Sequence, residues 1–381
     1  NIEHVSTVSD GSVGMFRIEF VEGTRPAGAL DASAMALEST RSEPGAVYLE
    51  FAHPLALVRV RIALGAIPGE TEWSIRVSPR NAETAIARVA FPVIDTPRTL
   101  EGTERLYLLP MFEGRCSPLS YPPLWRAYPS HLFAQMIACV VGAGGFLLYT
   151  ADGEGHVKEF GFENRGTSSA FAVRHRMPYR PGETWEAPYV TRVVLCGGDW
   201  QSAAETYRTW ATAQPWTSTA FRDRTDTPAL LHAPPLCIST QLDKEDLSSL
   251  PDRLSAWADR FDTPLVYRPL GWEKHGNWVG IDYFPPSVGA GAFSDLTARL
   301  TDRDIAVAGF ISGYRWTVHS RESSAQTNRV LSEYFEQRDG AAYCERMRNG
   351  DLLALEAEGR DSYRVCRGSA FGGHLLQDVA G

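Results

Sequence analysis

Residues 263–316 read TPLVYRPLGWEKHGNWVGIDYFPPSVGAGAFSDLTARLTDRDIAVAGFISGYRW, and this stretch decides the fold of the second half of the chain. It holds two apolar runs, residues 265–268 and 305–311, with a short amphipathic segment between them. The predicted order is strand, loop, helix, strand, which is a βαβ unit of a parallel sheet. In a closed α/β barrel, the loops that follow the strands form the face where ligands bind. The aromatic loop after the first strand is therefore predicted to line a site.

The chain after residue 229 continues this alternation. A strand is predicted at residues 236–239, and helices are predicted around residues 247–261, 293–300 and 330–335. A (β/α)8 barrel takes roughly 250 residues, whereas residues 229–381 supply three recognisable strands. Three strands do not close a barrel, and an open parallel edge exposes backbone groups. We therefore expect the first part of a (β/α)8 TIM barrel, strands one to three and into the fourth unit, completed either by a continuation of the polypeptide or by a second chain.

The chain before this region follows a different period. Apolar and polar side chains alternate from residue 14 to about residue 194, as Phe16, Ile18 and Phe20 do with Arg17 and Glu19. Strict alternation is typical of half-buried antiparallel strands. Residues 1–198 are therefore predicted to form a long β-sandwich, and residues 199–228 a helix with one apolar face followed by a linker. The predicted fold class is multidomain, β and then α/β, with the third domain at residues 229–381.

The amino-acid composition limits the kinds of binding partner to be expected. The chain has 381 residues, of which 44% are hydrophobic and 22% are charged, and its formal net charge is −9. This balance indicates a globular protein and gives no reason to expect a nucleic acid or an anionic membrane surface as partner. The most apolar segment, residues 132–149, is broken by glycines and predicts a hairpin rather than a membrane span. The chain starts at Asn1 without a leader, so a cytoplasmic location and secretion after signal removal both stay open.

The cysteines give no metal motif. All six are widely spaced, with no CxxC pair and no cluster with the spacing of zinc ligands. We therefore predict no metal site and no cofactor. Cys344 and Cys366 are candidates for a disulfide, which the sequence neither requires nor excludes.

Three segments after predicted strands carry the chemistry expected of a binding site. The first loop contains Trp272 and Glu273, the segment that follows contains Asp282 and Tyr283, and the loop after the third strand contains Tyr314 and Trp316. Flat aromatic faces stack on sugar rings, and carboxylates bond to sugar hydroxyls, so a carbohydrate pocket is predicted. The alternative is that the indoles of Trp272 and Trp278 plug the mouth of the barrel as ordinary packing.

Catalysis within these segments is not expected. Glycoside hydrolysis generally uses two carboxylates about 5 to 9.5 Å apart, and the available pair is Glu273 and Asp282. Both belong to one loop, whereas barrel enzymes draw catalytic residues from several strands. We therefore assign both to hydroxyl binding and leave the catalytic residues unknown.

Four segments of the chain resemble a known group of proteins: YPSHLFAQMIACVVGAGGFLLYTADGEGHVKEF, GGDWQSAAETYRTWATAQPW, PLGWEKHGNWVGIDYFPP and FISGYRW. The group is an uncharacterised family of bacterial glycoside-hydrolase-like proteins, similar to the endo-α-N-acetylgalactosaminidase clan. The resemblance implies a galactose-mutarotase-like β-supersandwich followed by a (β/α)8 catalytic barrel. It also implies that Trp272, Asp282, Tyr283, Tyr314 and Trp316 lie on the sugar-binding face, with Glu273 as a weaker addition.

The resemblance places the catalytic carboxylates on later strands. Its nucleophilic aspartate is expected at the end of barrel strand four, whereas residues 363–378 look like the loop and helix that lead into that strand. We therefore expect a glycoside hydrolase, retaining in mechanism, of which this chain is an N-terminal portion without the catalytic carboxylates. The alternative is a non-catalytic carbohydrate-binding or assembly subunit that a partner chain completes.

Overall fold

The computed structural model describes residues 14–23, 25–142, 144–176, 180–232, 235–311, 313–347, 350–357, 359–366 and 369. The chain forms two compact units, Asn1–Thr219 and Ala220–Gly381. The predicted helix after residue 199 therefore belongs to the first unit.

The described residues of the first unit form antiparallel strands and one α-helix, with short 3-10 turns between them. Its elements are β1 (Arg17–Glu22), β2 (Arg25–Asp31), β3 (Ala36–Glu43), β4 (Ala46–His53), β5 (Ala56–Leu64), β6 (Glu70–Pro79), β7 (Thr84–Pro97), β8 (Thr99–Leu100), β9 (Thr103–Glu104), β10 (Leu106–Leu109), β11 (Arg115–Pro118), β12 (Leu124–Tyr128), β13 (Met136–Val141), β14 (Gly144–Thr150), β15 (Lys158–Arg165), β16 (Ser168–Arg176), β17 (Trp185–Glu186), β18 (Thr191–Cys196) and α1 (Trp200–Ala211).

All of these strands except β8 and β9, which pair with each other, belong to two large sheets. The six-stranded sheet has the order β12-β15-β16-β7-β1-β2, and the ten-stranded sheet has the order β11-β10-β13-β14-β18-β6-β5-β4-β3, with β17 paired to β6. One face of each sheet contributes to a shared hydrophobic core, in which Phe16, Ile18 and Phe20 are almost fully buried. The alternation read from the sequence is thus the alternation between the core and the outer faces of the two sheets.

The apolar run at residues 132–149 departs from alternation for a structural reason. It forms the predicted hairpin, because β13 and β14 pair antiparallel. Helix α1 covers the outer face of this hairpin, and Ala203 of the helix joins Ala138 and Leu147 in a second apolar cluster. Strands that are buried on both faces become continuously hydrophobic.

A buried polar network joins the β14–β15 connection to the sandwich. Lys158 is fully buried, and its ammonium donates to the carboxylate of Asp152 and to Oε1 of Gln135 at 2.7 Å. It also lies 4.3 Å from the ring centre of Tyr189. Burial lowers the pKa of Lys158 to about 8, although the bond to Asp152 opposes the shift. The pair holds the turn between the strands, because Asp152 also accepts the backbone N–H of His156 at 2.6 Å.

The second unit begins with an α/β segment. Its elements are β19 (Leu236–Gln241), α2 (Leu250–Phe261), β20 (Leu265–Leu270), α3 (Ala290–Thr301), β21 (Ile305–Val307), β22 (Arg315–Ser320), α4 (Ala325–Gln337), α5 (Gly340–Tyr343), β23 (Ala354–Ala357) and β24 (Arg360–Arg364).

Two three-stranded sheets make up this unit. Strands β19, β20 and β21 are parallel, as the βαβ reading predicts, and α2 packs on β20 while α3 packs on β21. Leu265, Tyr267 and Ile305 point to one face and are buried. Strands β22, β24 and β23 form a separate antiparallel sheet, which the sequence reading did not anticipate.

Two local predictions need correction. The strand predicted over residues 305–311 ends at Val307. Gly309 beyond it lies against the indole of Trp272, whose Cε2 would lie 3.2 Å from a Cβ there. Trp316 lies in β22 rather than in a loop.

The predicted segment 363–378 also differs where it is described. Tyr363 lies in β24 instead of a loop. Residues 370–378, where the helix was expected, are outside the described part of the chain.

The remaining sequence expectations concern thiols, metals and membranes. All six cysteines are free thiols, so Cys344 and Cys366 are not paired. Among the described residues, no group of three or more His, Cys, Asp or Glu side chains is arranged to hold a metal ion. None of the helices that the structure describes is both long and apolar enough to span a bilayer.

The buried Lys158 network generates a stability prediction. Lys158→Met leaves Asp152 as a buried charge without its ammonium, and breaking such a pair costs about 3 to 5 kcal/mol. We expect a loss of this size in the free energy of unfolding of the first unit, measured by urea denaturation. Arg180→Met is the control, because Arg180 and Glu183 are 65% and 60% exposed and such pairs contribute at most about 1 kcal/mol. Equal losses in both variants would contradict a structural role for Lys158.

Candidate functional site

The loop of residues 271–287 follows β20 and folds back on itself. The N–H of Lys274 donates to the carbonyl of Tyr283 at 3.0 Å, and the N–H of Ser287 donates to the carbonyl of Trp272 at 2.9 Å. The loop starts at Gly271 with φ +69°, and a Cβ there would lie 3.2 Å from Oε1 of Gln241. Glycine therefore allows the loop to leave the strand beside the end of β19.

The aromatic residues Trp272 and Tyr283 lie inside the unit and hold the loop in place. Trp272 is 4% exposed and Tyr283 is 2% exposed, and their rings stack 6.0 Å apart. The indole N–H of Trp272 donates to the carbonyl of Phe310 at 2.8 Å. The hydroxyl of Tyr283 accepts the N–H of Gly313 at 3.0 Å. These contacts tie the loop to the segment that follows β21.

Trp316 belongs to the neighbouring sheet, and Tyr314 directly precedes its strand β22. Trp316 is 1% exposed and packs edge-on against Phe335, with a ring separation of 5.3 Å. Tyr314 is half-buried, and the guanidinium of Arg315 lies 5.2 Å from its ring centre. Trp272, Tyr283 and Trp316 thus share one hydrophobic core, with their rings turned away from solvent.

Asp282 is held by two basic side chains of the same loop. Its Oδ2 accepts Nζ of Lys274 at 2.6 Å and lies 3.1 Å from Nε2 of His275. Burial by itself raises the pKa of Asp282, but the bonds from His275 and Lys274 outweigh it and hold the pKa below its ordinary value. Asp282 is therefore an ionised acceptor that fixes the positions of Lys274 and His275.

Glu273 is the most buried carboxyl of the loop. It is 1% exposed, and its Oε1 accepts the backbone N–H of Trp278 at 3.1 Å. Its Oε2 has no hydrogen-bond partner in the described part of the chain. Burial raises the pKa of Glu273, against the opposing effects of the Trp278 N–H and the charge of Arg360. The carboxyl closes the inner turn of the loop.

A cleft of about 680 Å³ lies beside this loop, within the second unit. It opens at the carboxyl ends of β19 and β20 and is walled by the start of β24 and the end of β22. Its polar lining consists of Gln241, Asp243, Lys244, His275, Asn277, Ser287, Ser320, Glu322, Ser323 and Arg360. The sequence reading placed ligands at these strand ends but missed Ser320, Glu322 and Arg360, since their proximity depends on the unforeseen pairing of β22 with β24.

Two polar atoms at the cleft wall are left without a partner in the part of the chain that the structure describes. Oδ1 of Asn277 and Oγ of Ser320 are buried and have no hydrogen-bond partner among the described residues. A buried unpaired polar group costs about 1 to 3 kcal/mol, so a ligand that supplies hydroxyl or amide groups gains by meeting them. Arg360 is 5% exposed and donates to Glu322 at 2.8 Å, which places a fixed cation in the same wall.

One indole reaches the cleft. Trp278 is half-buried and lines it, and its ring lies 5.1 Å from the ring of Phe310. Its backbone has φ +67°, which is uncommon for a bulky residue. The bond from its N–H to Glu273 stabilises this conformation, so Glu273 positions an aromatic side chain at the cleft.

Comparison with known proteins identifies the type of fold. A family model described as "Domain of unknown function (DUF6259)" matches residues 185–349, less than half of the chain. No curated protein gives a significant match.

Solved structures resemble the whole chain. The α-N-acetylgalactosaminidase NagBb from Bifidobacterium bifidum, in its GalNAc complex, aligns with a TM-score of 0.63 and 12% identity over 97% of this chain and 62% of that chain. The same enzyme in its Gal-NHAc-DNJ complex aligns with a TM-score of 0.60 and 12% identity over 97% and 61%. The chain therefore has a glycosidase-like fold and spans about 62% of the length of NagBb.

The environment of Glu273 generates a prediction about pH. A carboxyl with a raised folded-state pKa contributes stability below its unfolded pKa, and that stability is lost as the pH rises through the folded pKa. Glu273→Gln removes this titration. We expect the free energy of unfolding of the variant minus that of the wild type to be more positive, meaning a relatively more stable variant, at pH 7 than at pH 4.5.

The exposed side chain of Glu336 provides the control for this pH effect. Glu336→Gln makes the same substitution at an exposed carboxyl at the end of α4 and controls for the chemical change itself. Urea denaturation at the two pH values measures both differences. A Glu273→Gln difference that does not change with pH would show that the buried carboxyl has an ordinary pKa.

Proposed function

We propose that the chain is part of a glycosidase-like protein and that the cleft beside residues 271–287 binds a sugar. The observation that carries the proposal is the pair of buried, unpartnered atoms in its wall, Asn277 Oδ1 and Ser320 Oγ. Asn277 lies in the loop at the carboxyl end of the parallel strand β20, where α/β folds bind ligands, and Ser320 ends the antiparallel strand β22.

A sugar fits the chemistry of this wall. Its hydroxyls donate to Asn277 Oδ1 and exchange hydrogen bonds with Ser320, while Arg360 and Gln241 supply donors. The indole of Trp278 offers an apolar surface for the C–H side of a ring. The volume of about 680 Å³ lies within the range of about 300 to 1,000 Å³ of small-molecule sites.

The residues that the sequence nominated act, in this proposal, mainly by shaping the cleft. Trp272 and Tyr283 anchor the loop, Glu273 positions Trp278, and Asp282 holds Lys274 and His275. Trp316 and Tyr314 support β22, the strand that carries Ser320.

The fold extends the proposal to the whole protein. The first unit corresponds to the β-supersandwich, and β19, β20 and β21 with α2 and α3 correspond to the start of a (β/α)8 barrel. A continuation of the chain or a partner chain supplies the rest of the barrel with the catalytic carboxylates of a retaining hydrolase. NagBb is described in complex with GalNAc, so N-acetylgalactosamine is the first sugar to test.

A second function is a non-catalytic carbohydrate-binding or assembly subunit. The surroundings of the two loop carboxyls, Glu273 and Asp282, favour this non-catalytic function for the 381-residue chain. Asp282 is occupied by Lys274 and His275, and Glu273 is 1% exposed with a raised pKa. Neither is placed to act as a nucleophile on an incoming sugar. Hydrolysis of aryl α-glycosides by the 381-residue chain alone would exclude this subunit reading.

Replacement of Asn277 tests the cleft. Asn277→Ala removes the unpartnered acceptor, and we expect binding of N-acetylgalactosamine to weaken about tenfold, which is about 1.4 kcal/mol. Trp278→Ala is expected to weaken it by a similar factor through loss of the apolar surface. Isothermal titration calorimetry gives the dissociation constants.

Gln337→Ala is the matched control for both cleft variants. Gln337 is exposed at the last position of α4 in the same unit, so its truncation is expected to leave sugar binding unchanged. Equal affinities in wild type and both cleft variants would rule out this cleft as the sugar site.

A further inference from the structure

A second recess lies on the six-stranded sheet of the first unit, on the face opposite the core. In β15, Phe160 and Phe162 point into the core, so Gly161, Glu163 and Arg165 point outward. The recess has a volume of about 310 Å³. Its lining is Arg17, Glu19, Arg88, Ala90, Val93, Trp125, Glu163, Arg165, Ala170, Ala172 and Arg174. We call it the outer recess.

Small side chains make the floor of the outer recess. Ala90, Ala170 and Ala172, together with Val93, are all buried and form a separate apolar cluster. Residues directly opposite each other in paired strands share a face, and Ala90 stands between Arg17 and Arg174 in one such row. Long basic side chains therefore rise on both sides of a shallow floor.

One wall of the outer recess is built around a glycine. The indole of Trp125 packs against Gly161, where a Cβ would lie 2.6 Å from its Cδ2. The guanidinium of Arg174 stacks 3.3 Å from the centre of the same indole. Because its guanidinium stacks on Trp125, Arg174 is held in one orientation on the recess wall. Part of the entropy cost of ordering this side chain on ligand binding is therefore already met.

The ion pairs in the lining leave positive charge over. Four guanidinium groups face two carboxylates, Glu19 and Glu163. Glu163 serves two of the guanidiniums, since it pairs with Arg174 and lies 3.9 Å from Arg165. Arg88 pairs with Glu19 at 3.3 Å, and Arg17 forms no ion pair with a described residue. Glu159 and Asp95 lie on the same face but outside the lining.

Hydrogen-bonding capacity is also left over. Nη1 of Arg165 is buried and has no partner in the described part of the chain. A guanidinium presents its donors in a fork that matches the two oxygens of a carboxylate or sulfate. Glu19 and Glu163 beside it accept from hydroxyl groups.

Charge alone does not define the outer recess. The outer face of the ten-stranded sheet has a depression lined by Arg41, Arg59, Arg61 and Arg76 with Glu50 and Glu186, the same balance of charges. That depression lacks the indole-stacked arginine and the alanine floor of the outer recess. It is therefore a control for electrostatics without shape.

We propose that the outer recess binds an acidic sugar, a uronic acid or a sulfated monosaccharide. The anionic group meets the donors of Arg165 and Arg174 that Glu163 leaves unused, the hydroxyls meet Glu19 and Glu163, and the ring rests on the alanine floor. A volume of about 310 Å³, at the small end of ligand sites, limits the ligand to about one ring. The choice of a sugar as the carrier of the anion rests on the glycosidase-like function proposed above. The site for the anionic group itself does not depend on that function.

The experiment is calorimetric titration of the full chain with glucuronate, glucose 6-sulfate, glucose and inorganic sulfate at one low ionic strength. We expect the two acidic sugars to bind at least tenfold more tightly than glucose and sulfate. Arg165→Gln with Arg174→Gln is expected to weaken glucuronate at least tenfold. Arg17→Gln, an exposed side chain outside any described ion pair, is expected to weaken it less, without affecting folding.

Two controls separate the possible outcomes. Arg59→Gln with Arg76→Gln removes the same charge from the other sheet and is expected to leave glucuronate binding unchanged. If it weakened glucuronate binding as much as Arg165→Gln with Arg174→Gln does, the binding would be non-specific electrostatics and the proposal would be overturned. Asn277→Ala is expected to leave glucuronate binding intact, so failure of the cleft and failure of the outer recess are distinguishable. Sulfate binding as tight as glucuronate binding would overturn the sugar part of the proposal, and no saturable binding of either acidic sugar would overturn all of it.

Discussion

The hydrogen bond from the indole of Trp272 to the carbonyl of Phe310 is the contact on which the second unit depends. It connects the loop after β20 to the chain after β21, at the point where the parallel sheet ends. Because Trp272 is buried between Tyr283 and Phe293, the loop has a fixed inner edge. Asn277 and Trp278 reach the cleft from its outer edge, so their positions follow from the burial of Trp272.

The sequence predicted the fold where a local pattern carries the information. Period-two alternation identified the antiparallel sandwich, and apolar runs separated by an amphipathic segment identified the parallel βαβ unit. The sheet of β22, β24 and β23 was not predicted because β22 pairs with a strand far along the chain, as Trp316 does with Tyr363. No local period in the sequence specifies such a pairing.

The structure shows where the nominated side chains lie, and the role of the site stays a prediction. The loop after β20 does border a cleft, but Trp272, Tyr283 and Trp316 pack inward, and the neighbouring Trp278 lines it. An aromatic side chain after a strand has the same sequence signature whether it faces a ligand or the core. Only the tertiary surroundings, such as the carbonyl that Trp272 reaches, decide between the two.

The cleft is assembled from residues that are far apart in the chain, from Gln241 to Arg360. Only the tertiary fold brings such residues together, so the cleft exists only when the second unit is folded. Any ligand of the cleft therefore binds the folded state alone and adds stability in proportion to the logarithm of its concentration. The melting temperature of the second unit therefore reports how much of the cleft is occupied. Libraries of sugars can be ranked by thermal shift without a catalytic assay.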